Sequence, residues 1–246
     1  VSEYSMEEPI SSIMAFDSYM FILCKGSSGY SGAVYAVAYQ TDLITQTGYK
    51  NEIHYSSSYP VYIDMFSDKD KFVVVCCDPA DMSKTYIEVY EIGVSTPVAG
   101  MTLTDFCPLI VCLENDLFLC AGSKSVYLYN YALIEKLVLD TENIIYIDGY
   151  DGCAYAYATI DSEYYEIKIN ETGVVDWKKA VGFEADGVSV SNGKIVLWND
   201  QEITMLTVKG KDFHIISTDS RIQDVIIAKN NRLIILTTSQ VITYKY

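Results

Sequence analysis

The chain has 246 residues, half of them apolar, with 17 Lys plus Arg against 33 Asp plus Glu, for a formal net charge of −16. That apolar share supports a large core and excludes a disordered tail, a collagen-like chain or a minimal disulfide scaffold. The acidic balance repels phosphate backbones, and the longest basic cluster is Lys178-Lys179, so no direct nucleic-acid role is expected.

The first residues, VSEYSMEEP, are acidic and lack the basic and apolar regions of a signal peptide. The chain starts with Val rather than Met, as a trimmed chain or a piece of a longer protein would. IMAFDSYMFILC then reads as two strands around a polar turn at Asp17-Ser18. The loop Gly26–Gly32, a third strand GAVYAVAY and a fourth, LITQTGYK, complete the unit. Residues 50 to 60, KNEIHYSSSYP, read as a connecting loop.

The same pattern recurs five times. YIDMFSDKDKFVVVCC turns at Asp68 to Asp70 and is followed by a loop, Asp78–Lys84, and by TYIEVYEI and PVAGMTLT. LIVCLENDLFLCAG turns at Asn115-Asp116 and leads to SVYLYNY and LIEKLVL. IIYIDGYDGCAYAYA turns at Asp151-Gly152 and leads to EYYEIKIN and VVDWKKAV. GVSVSNGKIVLWN turns at Asn192-Gly193 and leads to QEITMLTV and DFHIIS. DVIIAKNNRLIILTT turns at Asn230-Asn231 and leads to QVITYKY. Asn, Asp and Gly supply the positive φ angles that tight hairpin turns require. Tyr129–Leu139 and Asp176–Ala180 are the only stretches with a helical look, and they fall where a strand is due.

With Asp17, Lys69, Asn115, Asp151, Asn192 and Asn230 as markers, the units are spaced by 52, 46, 36, 41 and 38 residues. A period near 41 fits a propeller blade, which runs to about 40–45 residues. The expected fold is therefore all-β: a six-bladed β-propeller of four-stranded antiparallel blades in one domain spanning residues 1–246. The blades fall at 10–50, 60–104, 108–139, 144–180, 184–216 and 222–246 plus 1–8. The last unit lacks a fourth strand, so the N-terminal segment is expected to pair in that blade and close the ring. Two stacked β-sandwich domains would use similar strands but give no reason for six repeats.

DVIIAKNNRLIILTTSQVITYKY and DGVSVSNGKIVLWNDQEITMLTV share the strand–turn–strand rhythm of WD40 propellers, and the chain resembles that family in degenerate form. No unit ends in Trp-Asp, and neither His54 nor His214 belongs to a repeated Gly-His. In the fourth unit Gly173 and Trp177 are similar to the Gly and Trp of quinoprotein-type repeats. The resemblance implies a non-catalytic protein–protein interaction scaffold within an intracellular assembly, cytoplasmic or nuclear.

The seven cysteines cannot all pair within one chain, and most lie in apolar runs, which points to a reducing compartment. No CxxC spacing occurs and no His lies near a Cys, so neither a metal nor a cofactor is expected. No run of eighteen apolar residues marks a membrane span. Asn170-Glu171-Thr172 satisfies the glycosylation triplet, which carries no meaning in an intracellular protein.

Two groups of side chains are candidates for contact with a protein partner. Tyr30, Glu52, His54, Tyr55, Tyr59, Asp78 and Asp81 lie in the three long loops, where aromatics can anchor a partner or fold inward as core caps. Residues 1–123 carry a net charge of −11 and residues 124–246 a net of −5, so a basic partner segment facing the first three blades is expected. Asp64, Asp148, Asp186 and Asp224 fall near the entrance of a first strand. They either cap that strand through backbone N–H groups or form a ring of carboxylates at the channel mouth. The alternative function that such a ring would serve is a metal-dependent six-bladed propeller hydrolase or a small-ligand binder. No GxSxG elbow and no isolated carboxylate pair is present.

Overall fold

A computed structural model describes residues 8–16, 18–27, 29–38, 50–66, 70–103, 109–130 and 135–246. The fold is all-β, with twenty-three strands in six antiparallel sheets of three or four strands among these residues. The strands are β1 (Ile10–Ala15), β2 (Tyr19–Lys25), β3 (Gly32–Ala38), β4 (Asn51–Tyr55), β5 (Tyr59–Met65), β6 (Lys71–Cys77), β7 (Thr85–Glu91) and β8 (Ala99–Leu103). They continue as β9 (Leu109–Cys112), β10 (Leu117–Ala121), β11 (Ser125–Asn130), β12 (Glu135–Asp140), β13 (Asn143–Tyr150), β14 (Cys153–Ile160), β15 (Glu163–Ile169) and β16 (Val175–Ala180). The last are β17 (Gly187–Ser191), β18 (Lys194–Trp198), β19 (Glu202–Thr207), β20 (Asp212–Ser217), β21 (Ile222–Ala228), β22 (Arg232–Thr237) and β23 (Val241–Lys245). Each sheet is a meander of consecutive strands, β1–β4, β5–β8, β9–β12, β13–β16, β17–β20 and β21–β23.

The turns follow the chemistry expected of them. Asn115 and Asp116, Asp151 and Gly152, Asn192 and Gly193, and Asn230 and Asn231 all take positive φ, as two-residue turns between twisted strands demand. The markers Asp17 and Lys69, with Asp68, lie outside the described residues. So does the closing segment 1–7, and the last sheet has three strands among the described residues. The described residues of the first stretch of helical appearance, 129–130 and 135–139, fall on β11 and β12, and the second stretch falls on β16.

The first unit differs from expectation. Its fourth strand is Asn51–Tyr55, within the stretch read as a loop, and the expected strand LITQTGYK falls almost wholly outside the described residues. The cause is Asn51. It is a polar residue at an inward position, 1% exposed, whose amide nitrogen donates to the Glu91 and Val94 carbonyls while its oxygen accepts from the Gly93 N–H. These bonds satisfy its polar groups and fasten β4 to the β7–β8 turn.

The chain divides into two compact units, residues 1–122 with 126–137, and residues 123–125 with 138–246. In the first unit β6 is buried on both faces, which is why FVVVCC shows no alternation. Phe72, Val74 and Cys76 pack with Phe21, Leu23, Val34 and Ala36, while Val73 and Val75 pack with Ile110, Phe118 and Cys120. Phe72 stacks on Tyr90 and Phe118 on Tyr129, each at 5.5 Å between centroids.

In the second unit β18 plays the corresponding part. Ile195 and Leu197 face the Tyr155 and Tyr157 layer, and Val196 and Trp198 face Ile222, Val225 and Leu233. Within the units the first strands of successive sheets are neighbours, β5 beside β9, β13 beside β17 and β17 beside β21. The register slips by one residue in β1, β5, β13 and β21, a bulge repeated at the start of four sheets. No helix among the described residues is long and apolar enough to cross a membrane.

Candidate functional site

An open cleft of about 540 Å³ lies in the second unit. Glu184, Asp186, Asn199, Asp200, Gln201, Glu202, Ser217 and Thr218 line it. Its walls are the entry to β17, the β18–β19 turn and the end of β20. Asn199 holds the turn, its side-chain oxygen accepting the Gln201 and Glu202 N–H groups at 3.2 and 2.9 Å. The Asp186 N–H donates to the Trp198 carbonyl at 2.7 Å, and the Thr218 N–H donates to the Gln201 carbonyl at 2.9 Å. The rim is therefore held by main-chain bonds and presents its carboxylates on a fixed frame.

Four carboxylates line the cleft, and their partners differ. Asp200 pairs with Arg221 at 2.7 Å, an exposed pair that adds little stability. Glu184 accepts the Tyr164 phenol, a bond that lifts the phenol above the ordinary tyrosine range. Asp186 and Glu202 make no side-chain ion pair among the described residues. Four acids against one guanidinium leave the cleft with strong local negative charge, a field that draws in cations.

The four aspartates selected from the sequence have separate surroundings. Asp64 accepts the Met65 N–H at 2.8 Å and the Cys112 N–H at 2.6 Å, which ties β5 to β9. Asp148 accepts the Gly149 N–H at 2.8 Å and the Tyr146 hydroxyl at 2.7 Å, and Asp224 accepts the Val225 N–H at 2.8 Å. Three of the four thus act as strand caps through backbone N–H groups, while Asp186 lines the cleft. No group of three or more His, Cys, Asp or Glu able to hold a metal ion occurs among the described residues. Replacing Asp64 by Ala should cost about 1–3 kcal/mol, because a buried N–H is left unsatisfied. Urea unfolding monitored by circular dichroism checks this, and an effect below 0.5 kcal/mol would exclude the capping role.

The long-loop residues are also divided. Tyr55 turns inward, donating its hydroxyl to Tyr90, which in turn donates to Glu88 at 2.6 Å, and burial pushes the Tyr55 phenol well up. It is a core cap rather than an exposed anchor. The Tyr59 ring receives the Lys25 ammonium at 4.2 Å from its centroid. Glu52 and His54 are exposed and bond to each other at 3.0 Å, and Tyr30 is exposed at the tip of its loop.

Asp78 and Asp81 fold their own loop. Asp78 accepts the Ala80 N–H and the Tyr86 hydroxyl, and Asp81 accepts the Ser83 N–H and hydroxyl and meets Lys84 at 2.9 Å. The bonds from Ser83 and Lys84 hold the Asp81 carboxyl down at about 2.

Apart from Asp186, the cleft residues are absent from the sequence selection. The signal for them was the run WNDQE, where an Asn-Asp turn leads directly into a further acid, preceded by Glu184 and Asp186 in GFEADG.

The solved structures give the fold its context. BBS1N in complex with ARL6DN is similar over 99% of this chain and 80% of that one, with a TM-score of 0.62 at 10% identity. The C-terminal WD40 domain of Sif2 is similar over 97% and 82%, with a TM-score of 0.53 at 10% identity. Hsv2 of Kluyveromyces marxianus is similar over 77% and 62%, at 0.53 and 11%. These neighbours are β-propellers of the WD40-like kind, so the six repeated sheets form a degenerate propeller architecture. No curated protein matches the sequence. A family model described as a family of unknown function, DUF5711, matches residues 1–245, and the chain belongs to that family.

Proposed function

We propose that the chain is a non-catalytic protein–protein interaction scaffold that takes a basic segment of its partner in the cleft between Asp186 and Ser217. The observation that carries this reading is the cleft itself, lined by four carboxylates of which Asp200 alone pairs with an Arg side chain, on a rim fixed by backbone bonds. Complementary charge of this kind chiefly raises the association rate and selects among partners. The fold likeness to BBS1N, solved in complex with ARL6DN, supports a role in assemblies.

The same reading includes a six-bladed ring closed by residues 1–8 along the edge of β23. It also includes a reducing, intracellular setting. Support for the latter comes from the buried thiols Cys24, Cys76 and Cys77, which burial keeps protonated and unreactive.

The test is affinity capture from native extract with three baits read side by side by quantitative mass spectrometry. The baits are the wild-type chain, a cleft variant (Glu184→Gln, Asp186→Asn, Glu202→Gln) and a loop variant (Glu52→Gln, Asp78→Asn, Asp81→Asn). Salt-sensitive partners lost from the cleft variant and kept by the loop variant support the cleft. Partners lost only from the loop variant move the binding face to the first unit. An identical set on all three baits overturns the charge-directed reading.

A further inference from the structure

Glu166 lies on β15 with none of its surface exposed, and neither of its carboxyl oxygens has a hydrogen-bond partner. It is directly opposite Tyr157 of β14 and Lys179 of β16, so it faces the layer that the sheet β13–β16 shares with Leu197 and Leu206 of the sheet β17–β20. An ionised carboxylate in such a layer is strongly disfavoured, and desolvation raises the carboxyl well above the ordinary glutamate range.

The two cations around it are already engaged. Lys179, whose Cβ lies about 5 Å away across the strand pair, sends its ammonium to the Gly210 carbonyl at 3.1 Å and the Asp212 carboxylate at 2.6 Å. Lys168, two residues along β15, pairs with Asp176 at 2.8 Å and neighbours the Cys153 thiol. Tyr157 donates to the Phe183 carbonyl, and Tyr164 is bonded to Glu184. From β13, Tyr146 and Asp148 bond to each other. Tyr155 packs its ring toward Trp177, whose buried Nε1 has no partner either.

The cation opposite Glu166 is therefore the one that fastens the β19–β20 turn onto the neighbouring sheet. We propose that Glu166 and Lys179 form a proton-controlled latch, in which the neutral acid leaves Lys179 on Gly210 and Asp212, and the carboxylate draws Lys179 away and frees the turn. The proton leaves to solvent, and no covalent bond changes. With Glu166 neutral, the turn is held by Lys179 together with the Gly210 N–H to Thr207 and Thr207 N–H to Lys211 bonds. Once the carboxylate claims the ammonium, the turn keeps its own bonds and the Val208 N–H to Gly193 bond, and loses its ion pair to β16.

The experiment is hydrogen exchange read by mass spectrometry on the segment spanning Met205 to Phe213 between pH 6 and 9, corrected for the intrinsic exchange rate. Wild type should lose protection there by about tenfold for each pH unit on the way up to the Glu166 ionisation and level off above it, while Val225 to Ile227 of the same unit stays protected. Glu166→Gln should hold its protection across the range. Lys179→Met should show low protection at every pH, which keeps the proposal testable if the first variant fails to fold. Matching profiles for wild type and Glu166→Gln, full protection in Lys179→Met, or parallel loss at Val225 to Ile227 would each overturn the latch.

Discussion

Glu166→Gln should make the second unit more stable at pH 8 than wild type and nearly equal to it at pH 4. The sign follows from proton counting. In the native state the buried carboxyl keeps its proton, whereas in the unfolded chain it releases it above about 4.3. Across the interval between the two values the unfolded state binds fewer protons, so stability falls as pH rises. The stabilisation is complete below the unfolded value and is lost on the way up to the native one, by about 1.4 kcal/mol per pH unit within the window. An amide in the same place carries no such term.

Carboxylates held low, such as Asp81 and Asp176, act in the opposite sense at acid pH, but they are common to both proteins and cancel in the difference. Trp177 and Trp198 are the chain's two tryptophans and both belong to the second unit, so their fluorescence during urea unfolding reports on the unit that contains Glu166. Two parallel curves from pH 4 to 8 would show that Glu166 is ionised and solvated in the native protein, and that result would remove the latch as well.

The parts of this fold that could be read in the sequence are those where backbone geometry leaves few choices of side chain. Asn115-Asp116, Asp151-Gly152, Asn192-Gly193 and Asn230-Asn231 had to be what they are, because two successive positive φ angles exclude most residues. The apolar strands between them set the repeat. What could not be read traces to polar residues used at inward positions. Asn51 breaks the pattern of β4 because its amide closes a turn forty residues away, and no local signal records that partner. Glu166 sits among Tyr164, Tyr165 and Lys168, where tyrosines on both faces of β15 hide which side is the inner one.

The aspartates show the same limit. Asp64, Asp148 and Asp224 were selected by position, but whether each caps a strand or faces a ligand depends on backbone N–H groups that only the folded chain brings near. The acidic cleft was illegible for a related reason, since its walls come from three separate stretches of chain that the β17–β20 sheet draws together.

Gly187→Ala should destabilise the second unit by about 1–3 kcal/mol, the range of an overpacked core. Gly187 is paired with Trp198 across β17 and β18, and the indole lies directly over its backbone. A methyl group there would stand 2.7 Å from Cη2 and closer still to Cζ2, deep inside the ring. The ring has nowhere to retreat, being 7% exposed and packed among Val196, Ile203, Met205 and Ile222. Relief must then come from the partner: in a Trp198→Leu background the added methyl should cost less than about 0.5 kcal/mol, so the two substitutions are strongly non-additive.

Gly193→Ala separates steric crowding from backbone strain. No atom lies within 4 Å of its would-be Cβ, but its φ is +71°, so its cost of about 1 kcal/mol is conformational and should be the same with or without Trp198. Urea midpoints by far-ultraviolet circular dichroism for the four combinations at each glycine measure both couplings. Additive costs at Gly187 would mean that the indole does not occupy that space. If instead Gly193 couples to Trp198, the strain belongs to the hairpin as a whole, because β17, the turn and β18 then shift as one piece.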